Sequence, residues 1–432
     1  MLREMRHRPL RPCSSLKEAD TDFTEGGSAE KHGEQRIMTE LPVAHPLTYV
    51  RHLTEKIGPR GSATPEEAQA ARYVEQVLRS FGLDAWTESF EAGRSVWLPY
   101  ALALALALAG ALIYYAFGQW WGALACSLLH ALALWGMYAE LNFTDNFLRR
   151  LLPRGKSQNV IARIPPAGPT LQDVVLIGHL DSGRTPFLFR SVPLLLAFVI
   201  LSMLAFFNLA SGVIIYLAGA ILGWAMPGWL FWPGALLSAG GVLFCLEAEL
   251  SPYSVGANDN ASAVGVNLSL AERLSRSPLK NTRVWVLFSG SEEVGCYGMA
   301  AFLTKHRDEL KEAYFINMEG VGIGALHYAS REGMLRPYPS HPALIALLRR
   351  VGERRPELKA EPFVVRAGYT ETGVVVKNGL KGITILGISP PGVMAYWHQR
   401  GDTADKLEEE TLSRTHELTW ELLGCVSVLG QR

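Results

Sequence analysis

The sequence is poor in cysteine, carries no surplus of either charge, and has no leader-like start; each absence narrows the reading. Five cysteines in 432 residues (Cys13, Cys126, Cys245, Cys296 and Cys425) are scattered, with no CxxC spacing. That excludes a disulfide framework and a thiolate zinc site, so a metal here must be held by His, Asp and Glu. Lys plus Arg and Asp plus Glu both number 41, giving a net charge of zero, and nothing directs the chain to nucleic acid. The basic start (Arg3, Arg6, Arg8, Arg11) is not followed by an apolar stretch, so it does not read as a secretory signal. Residues 1–40 are charged and poor in aliphatics, which predicts a disordered tail, with Met38 an alternative first residue.

What the chain has in abundance is apolar length. Residues 96–117 and 120–138 are nearly uninterrupted apolar runs separated by Gly118-Gln119. About 20 helical residues at ~1.5 Å rise span a ~30 Å hydrocarbon core. Trp97, Tyr100, Trp120, Trp121, Trp135 and Tyr138 lie near the ends, where interfacial aromatics belong. A pair of apolar core helices is the bland reading; a transmembrane hairpin fits the length better. Residues 192–246 are apolar again, with candidate helices at 192–209, 212–226 and 229–246. If the flanking polar segments build one domain, the crossings must be even in number. Two crossings plus a re-entrant or interfacial piece around Pro227 and Pro233 meet that condition.

Between these runs strands and helices alternate. Thr64-Pro65-Glu66-Glu67 supplies an N-cap, a first-turn proline and a capping-box glutamate. Ala71, Val74, Val77, Leu78 and Phe81 then form a helical stripe that Gly82 ends. Strands are read at 84–91, 159–164, 174–177, 283–287, 314–318 and 382–386, and helices at 261–274, 298–306, 342–351 and 408–429. The alternation predicts an α/β fold with a mostly parallel central sheet flanked by helices. Its one soluble domain is assembled from 41–95, 140–190 and 249–432, and interrupted by membrane segments at 96–139 and 191–248.

Five strand-end or turn positions carry groups fit for metal or acid–base work. They are His179 with Asp181, Asp259 in Gly256-Ala-Asn-Asp-Asn-Ala-Ser262, Glu292 and Glu293 in Ser289-Gly-Ser-Glu-Glu-Val-Gly295, Glu319, and His398 in Tyr396-Trp-His-Gln-Arg-Gly-Asp402. In an open α/β sheet the C-terminal strand ends line one crevice, so these can converge. Two metal ions ~3.5–4 Å apart need imidazole and carboxylate ligands with one carboxylate between them, and a further carboxylate must stay free as base. The inventory suffices. Singly, each motif also reads as a turn, a cap or a solvated helix start.

Taken together, Gly178-His-Leu-Asp-Ser, Gly256-Ala-Asn-Asp-Asn-Ala-Ser, Ser291-Glu-Glu-Val-Gly and His398 with Asp402-Thr-Ala-Asp405 resemble the co-catalytic zinc aminopeptidases, relatives of glutamate carboxypeptidase and the glutaminyl cyclases. Gly58-Pro-Arg-Gly-Ser and the helix from Glu67 to Gly82 resemble the family's opening. The resemblance covers roughly 45–95, 157–185 and 253–430. It implies two zinc ions, one held by His179, Asp259 and Glu319, the other by Asp259, Glu293 and His398. It implies Glu292 as general base, Asp181 orienting His179, and a cis peptide at Asp259–Asn260. Glu319 stands where Asp is commoner in the family. Gly368-Tyr-Thr-Glu-Thr-Gly373 stands where many members have Ser-Asp, which leaves Tyr369 or Glu371 as a substrate grip against a helix start capped by Thr370. Tyr396 and Trp397 flank the pocket or simply pack.

The activity this implies is hydrolysis of N-terminal residues from peptides by metal-activated water. Open alternatives are a single-zinc glutaminyl cyclase, a carboxypeptidase using Arg366 or Arg400 as clamp, and a non-catalytic membrane scaffold. Arg94, Arg149, Arg150, Arg154, Lys156, Arg184 and Arg190 flank the apolar runs on the domain side, and Gly118-Gln119 carries no cation. This predicts an integral protein of the plasma (inner) membrane, in contact with the lipid bilayer, with the catalytic domain in the cytoplasm.

Overall fold

The computed structural model describes residues 43–223, 227–366 and 368–429; the tail expected to be disordered and Met38 lie outside the described residues. One sheet is built from the segments outside the long apolar helices. Its strands are β1 (Asp84–Gly93), β2 (Arg154–Ile164), β3 (Gln172–His179), β4 (Thr282–Ser289), β5 (Tyr314–Glu319), β6 (Ala325–Glu332), β7 (Tyr338–Pro339), β8 (Glu361–Val364) and β9 (Lys381–Ile388). They lie in the order β1-β2-β4-β3-β5-β9-β6-β7, with β8 also on β6. The central β4-β3-β5-β9 ladders are parallel, and β1-β2-β4 and β9-β6-β7 are antiparallel. The α/β fold is as expected, with parallel pairing at the centre; the edges are antiparallel save for β8, which runs parallel to β6. The central strands are the near-continuous apolar runs that two covered faces require: Val174, Val175, Leu176 and Ile177 are fully buried.

Helices α1 (Pro46–Arg51) and α2 (Pro65–Ser80) precede the sheet. The Thr64 side chain accepts from Glu67 N, as a capping box asks, while the Glu67 carboxylate turns inward to other work. Helices α3 (Trp97–Phe117) and α4 (Trp120–Glu140) form the first apolar insertion and α5 (Phe147–Leu151) follows them. The second insertion is α6 (Val192–Leu222) and α7 (Gly228–Leu250). The helices expected at 192–209 and 212–226 are one through Leu222. Gly212 does not break it; a Cβ there would meet the His130 ring of α4 at 2.3 Å, so the glycine admits a neighbouring side chain. Pro233 lies inside α7 without ending it. All four helices are long and apolar enough to cross a membrane. Small and polar contacts join them, as between bundled apolar helices: Ser127 donates to Val213 O and Asn208 to Ser238 Oγ. Leu112, Leu128, Leu196, Met203, Phe207 and Ile214 are exposed on their outer faces.

The remaining helices are α8 (Ser262–Arg276), α9 (Tyr297–His306), α10 (Pro342–Arg354), α11 (Glu371–Lys377) and α12 (Glu409–Leu429). One face of the sheet packs on α1, α2, α8, α10 and α12 through Leu176, Val286, Ile316 and Ile383, the other on α9 and α11 through Val175, Trp285 and Phe315.

Candidate metal centre

In the register of the sheet His179, last in β3, faces Ser289, last in β4, and Glu319, last in β5, faces Leu386 of β9. The crevice at these strand ends is where a parallel sheet places its ligands. Gly256 (φ 63°) turns the chain so that Asp259 points into it, and the Asp259–Asn260 peptide is cis. Ser291 (φ 51°) and His398 (φ 52°) are held in the left-handed region, sparsely populated for residues with a Cβ and common at functional sites.

Two donor sets result, each with atoms within 4.8 Å of one another: His179, Asp259 and Glu319; and Asp259, Glu293 and His398. His179 Nε2 is 3.1 Å from Glu319 Oε1 and 3.3 Å from Asp259 Oδ1, while His398 Nε2 is 2.9 Å from Glu293 Oε2 and 3.6 Å from Asp259 Oδ2. Asp259 is common to both. Glu292 belongs to neither; its Oε2 lies 3.9 Å from His179 Nε2, and its Oε1 accepts from Cys296 Sγ.

The residues behind this shell explain its shape. Asp181 was expected to orient His179, and its backbone oxygen does approach His179 Nδ1, at 3.0 Å. Its carboxylate is 3.5 Å from that nitrogen and accepts from Glu292 N (3.0 Å), Glu293 N (3.1 Å) and Ser62 Oγ (2.5 Å). It therefore fixes the Glu292–Glu293 turn as well. Three residues given no such role from the sequence stand beside it. Asp402 accepts from the backbone of Asn258 (2.7 Å) and Asp259 (3.0 Å). Glu67 accepts from Ser291 N (2.8 Å) and Ala63 N (3.0 Å). Arg60, fully buried, donates to the carbonyls of Leu53, Gly58, Leu180, Val255 and Gly256, tying three loops together. Asp402 and Arg60 lay within matched motifs, and only the long-range pairing gives them work.

Thr370 caps α11 by accepting from Thr372 N, and Glu371 is fully buried, accepting from Ser289 Oγ at 2.5 Å. The Tyr369 ring packs edge-on against Phe143, 4.4 Å between centroids. The capping reading of this segment thus holds. Trp397 packs on Phe189 and His398, and Arg366 and Arg400 are exposed.

Burial lifts the Glu319 carboxyl to about 8, with His179 opposing and Asp259 reinforcing. Burial likewise holds Glu292 well above the usual range, against the pull of His179 and with the push of Glu371 and Glu319. Burial would lower the His398 imidazole, but Glu293 and Asp259 raise it to about 9. Asp259 goes the other way: His179 and His398 outweigh its burial and lower it. Several buried carboxyls thus crowd around one guanidinium and two imidazoles. Buried Glu293 Oε1 and Glu319 Oε2 have no hydrogen-bond partner among the described residues. A Cβ on Gly183 would meet His398 Nε2 at 2.7 Å and Glu293 Oε2 at 2.8 Å, so the backbone leaves room beside the second set. Imidazole plus carboxylate, one carboxylate shared, fits a pair of divalent ions such as zinc.

Known proteins share part of this sequence and its fold. The model of Peptidase family M28 matches residues 238–423. Among solved structures the fold is similar to BSAP, a zinc aminopeptidase from Bacillus subtilis (14% identity, TM-score 0.52), covering 88% of this chain and 93% of that one. It is similar to Porphyromonas gingivalis glutaminyl cyclase (15% identity, TM-score 0.53; 88% and 96%). It is also similar to an aminopeptidase from Aneurinibacillus sp. strain AM-1 (15% identity, TM-score 0.51; 88% and 92%). No curated protein matches. The resemblance to the co-catalytic zinc exopeptidases read from the motifs is borne out.

Proposed function

We propose that this chain is a membrane-anchored aminopeptidase using two zinc ions, and that it removes N-terminal residues from peptides. The observation that carries the reading is a carboxylate shared between two donor sets, with Glu292 in neither and 3.9 Å from His179 of the first. In this reading His179, Asp259 and Glu319 hold one ion and Asp259, Glu293 and His398 the other. Bound zinc would supply Lewis acidity toward the scissile carbonyl and the attacking water.

Glu292 takes the proton of that water and returns it to the leaving amine, a role suited to a carboxyl whose burial raises its proton affinity. Asp181 keeps Glu292 in place through the backbone bonds it accepts. The surplus of carboxylate favours a substrate's N-terminal ammonium. Arg366 and Arg400, the cations weighed as a clamp for a C-terminal carboxylate, are both exposed and belong to neither donor set among the described residues.

Glu292→Gln preserves side-chain volume and stands outside both donor sets. It should keep both metals and lose about 10²–10⁴-fold in turnover on aminoacyl peptides. Undiminished turnover would overturn the assignment.

Four apolar helices support the anchoring, with α3, α4, α6 and α7 in two pairs that each leave and rejoin the catalytic domain. Arg94, Arg149, Arg150, Arg184 and Arg190 near the domain-side helix ends favour a cytoplasmic domain at the plasma membrane. A cysteine placed at Gln119 should then react with an impermeant thiol reagent from outside intact cells; labelling only after lysis contradicts the orientation.

A further inference from the structure

The two metal-set histidines are held differently. His179 has its Nδ1 fixed by the Asp181 carbonyl at 3.0 Å, the usual second partner of a ligating imidazole. His398 Nδ1 is buried with no hydrogen-bond partner among the described residues. What touches the His398 ring is aromatic. Phe189 lies face to face with it, 5.4 Å between centroids and 19° between planes, and Trp397 sits at 4.7 Å.

Phe189 is 4% exposed and belongs to a short turn between the His179 loop and α6. Its neighbours are Trp397 at 5.2 Å, Phe198 of α6 at 5.0 Å and Trp97 of α3 at 6.0 Å. Trp97 and Phe198 in turn meet Phe244 of α7 at 5.4 and 5.6 Å. Helices α3 and α6 thus meet the ring that backs His398, and α7 packs behind them through Phe244.

We propose that Phe189 is a positioning residue for His398, its stacked face replacing the missing hydrogen bond, and that the packing of α3, α6 and α7 thereby sets the affinity of the second metal set. The stack fixes the plane of the imidazole and keeps Nε2 aimed at Glu293. Of the first set, His179 and Glu319 hang from β3 and β5 and do not share this support, while Asp259 is common to both sets. The inference rests on the two-ion reading of the site and adds that one ion answers to the helix bundle.

The test is a zinc titration of the metal-free full chain in lipid nanodiscs, counting ions and fitting both constants. Wild type should bind two. Phe189→Leu keeps apolar volume but loses the flat face; it should weaken one constant by about 10–100-fold and leave the other alone. Phe189→Tyr keeps the face and should restore it. Phe198→Ala removes a contact to Phe189 without touching His398, and should shift the same constant by roughly two- to tenfold. Phe207→Ala, 70% exposed on the same helix, should change nothing. Two unchanged constants in Phe189→Leu and Phe198→Ala overturn the proposal. Fewer than two ions in wild type overturns it together with the two-ion reading. Two ions and the Phe189 effect without peptide hydrolysis would sink the aminopeptidase reading and leave this one standing.

Discussion

Arg60 offers a sharp test of how the loops of the centre are held. Its guanidinium serves five backbone carbonyls, on Leu53, Gly58, Leu180, Val255 and Gly256. Burial lowers its pKa to about 10, opposed by Asp402, Asp181, Asp259 and Glu293, so it remains charged at neutral pH. The Leu53 and Gly256 carbonyls also accept from Gly58 N and Ala261 N, so those of Gly58, Leu180 and Val255 depend on Arg60. Arg60→Lys keeps the charge but replaces the fixed planar fork by a single flexible ammonium, leaving one or two of them unpaired. At about 1–3 kcal/mol each the loss is roughly 1–6 kcal/mol, which over a chain of this length is a fall in Tm on the order of 1–8 °C. Arg60→Met also removes the cation facing the acidic cluster and should fall further in the metal-free state. Zinc should then recover more of the Met variant's loss than of the Lys variant's, because the ions replace charge but not hydrogen bonds. The assay is intrinsic tryptophan fluorescence against temperature, with and without zinc. A metal-free Lys variant that melts with wild type refutes the claim that these bonds hold the loops.

Two further outcomes follow from the same geometry. Glu319 and His398 titrate near 8 and 9 without metal, so at neutral pH both hold protons that ligation must displace. Zinc affinity should therefore rise from pH 6 to 9, with proton release visible as a dependence of binding heat on buffer ionisation enthalpy; a buffer-independent heat speaks against it. Gly183→Ala drives a methyl against His398 Nε2 and Glu293, so it should lose one zinc and most activity while its circular dichroism stays that of wild type. Full zinc content in this variant would mean the loop yields more readily than the packing suggests.

Much of the site was legible because it sits where sequence grammar is strongest. Apolar strands ending in Gly178-His179, Phe288-Ser289 and Met318-Glu319 announce a parallel sheet and put their polar ends on one edge. The antiparallel edge of β1 and β2 was read at 84–91 and 159–164, but the opposite edge of β6, β7 and β8 was not. Strand β6, Ala-Leu-His-Tyr-Ala-Ser-Arg-Glu, lacks a clean apolar run because it pairs near the rim. The split expected in α6 failed for a local reason: Gly212 reads as a breaker in sequence and acts as a seat for His130 in the bundle.

The sequence by itself determined the α/β class, the donor chemistry and the apolar runs, since these follow from periodicity and from residue types at strand ends. Only the tertiary structure decided the supporting roles. Glu67 leaves its capping box to grip Ser291, 224 residues away; Arg60 reaches Val255 and Gly256; and Phe189 lies flat against His398. Each of these is a contact between distant segments whose partners share no local pattern, so packing alone selects them.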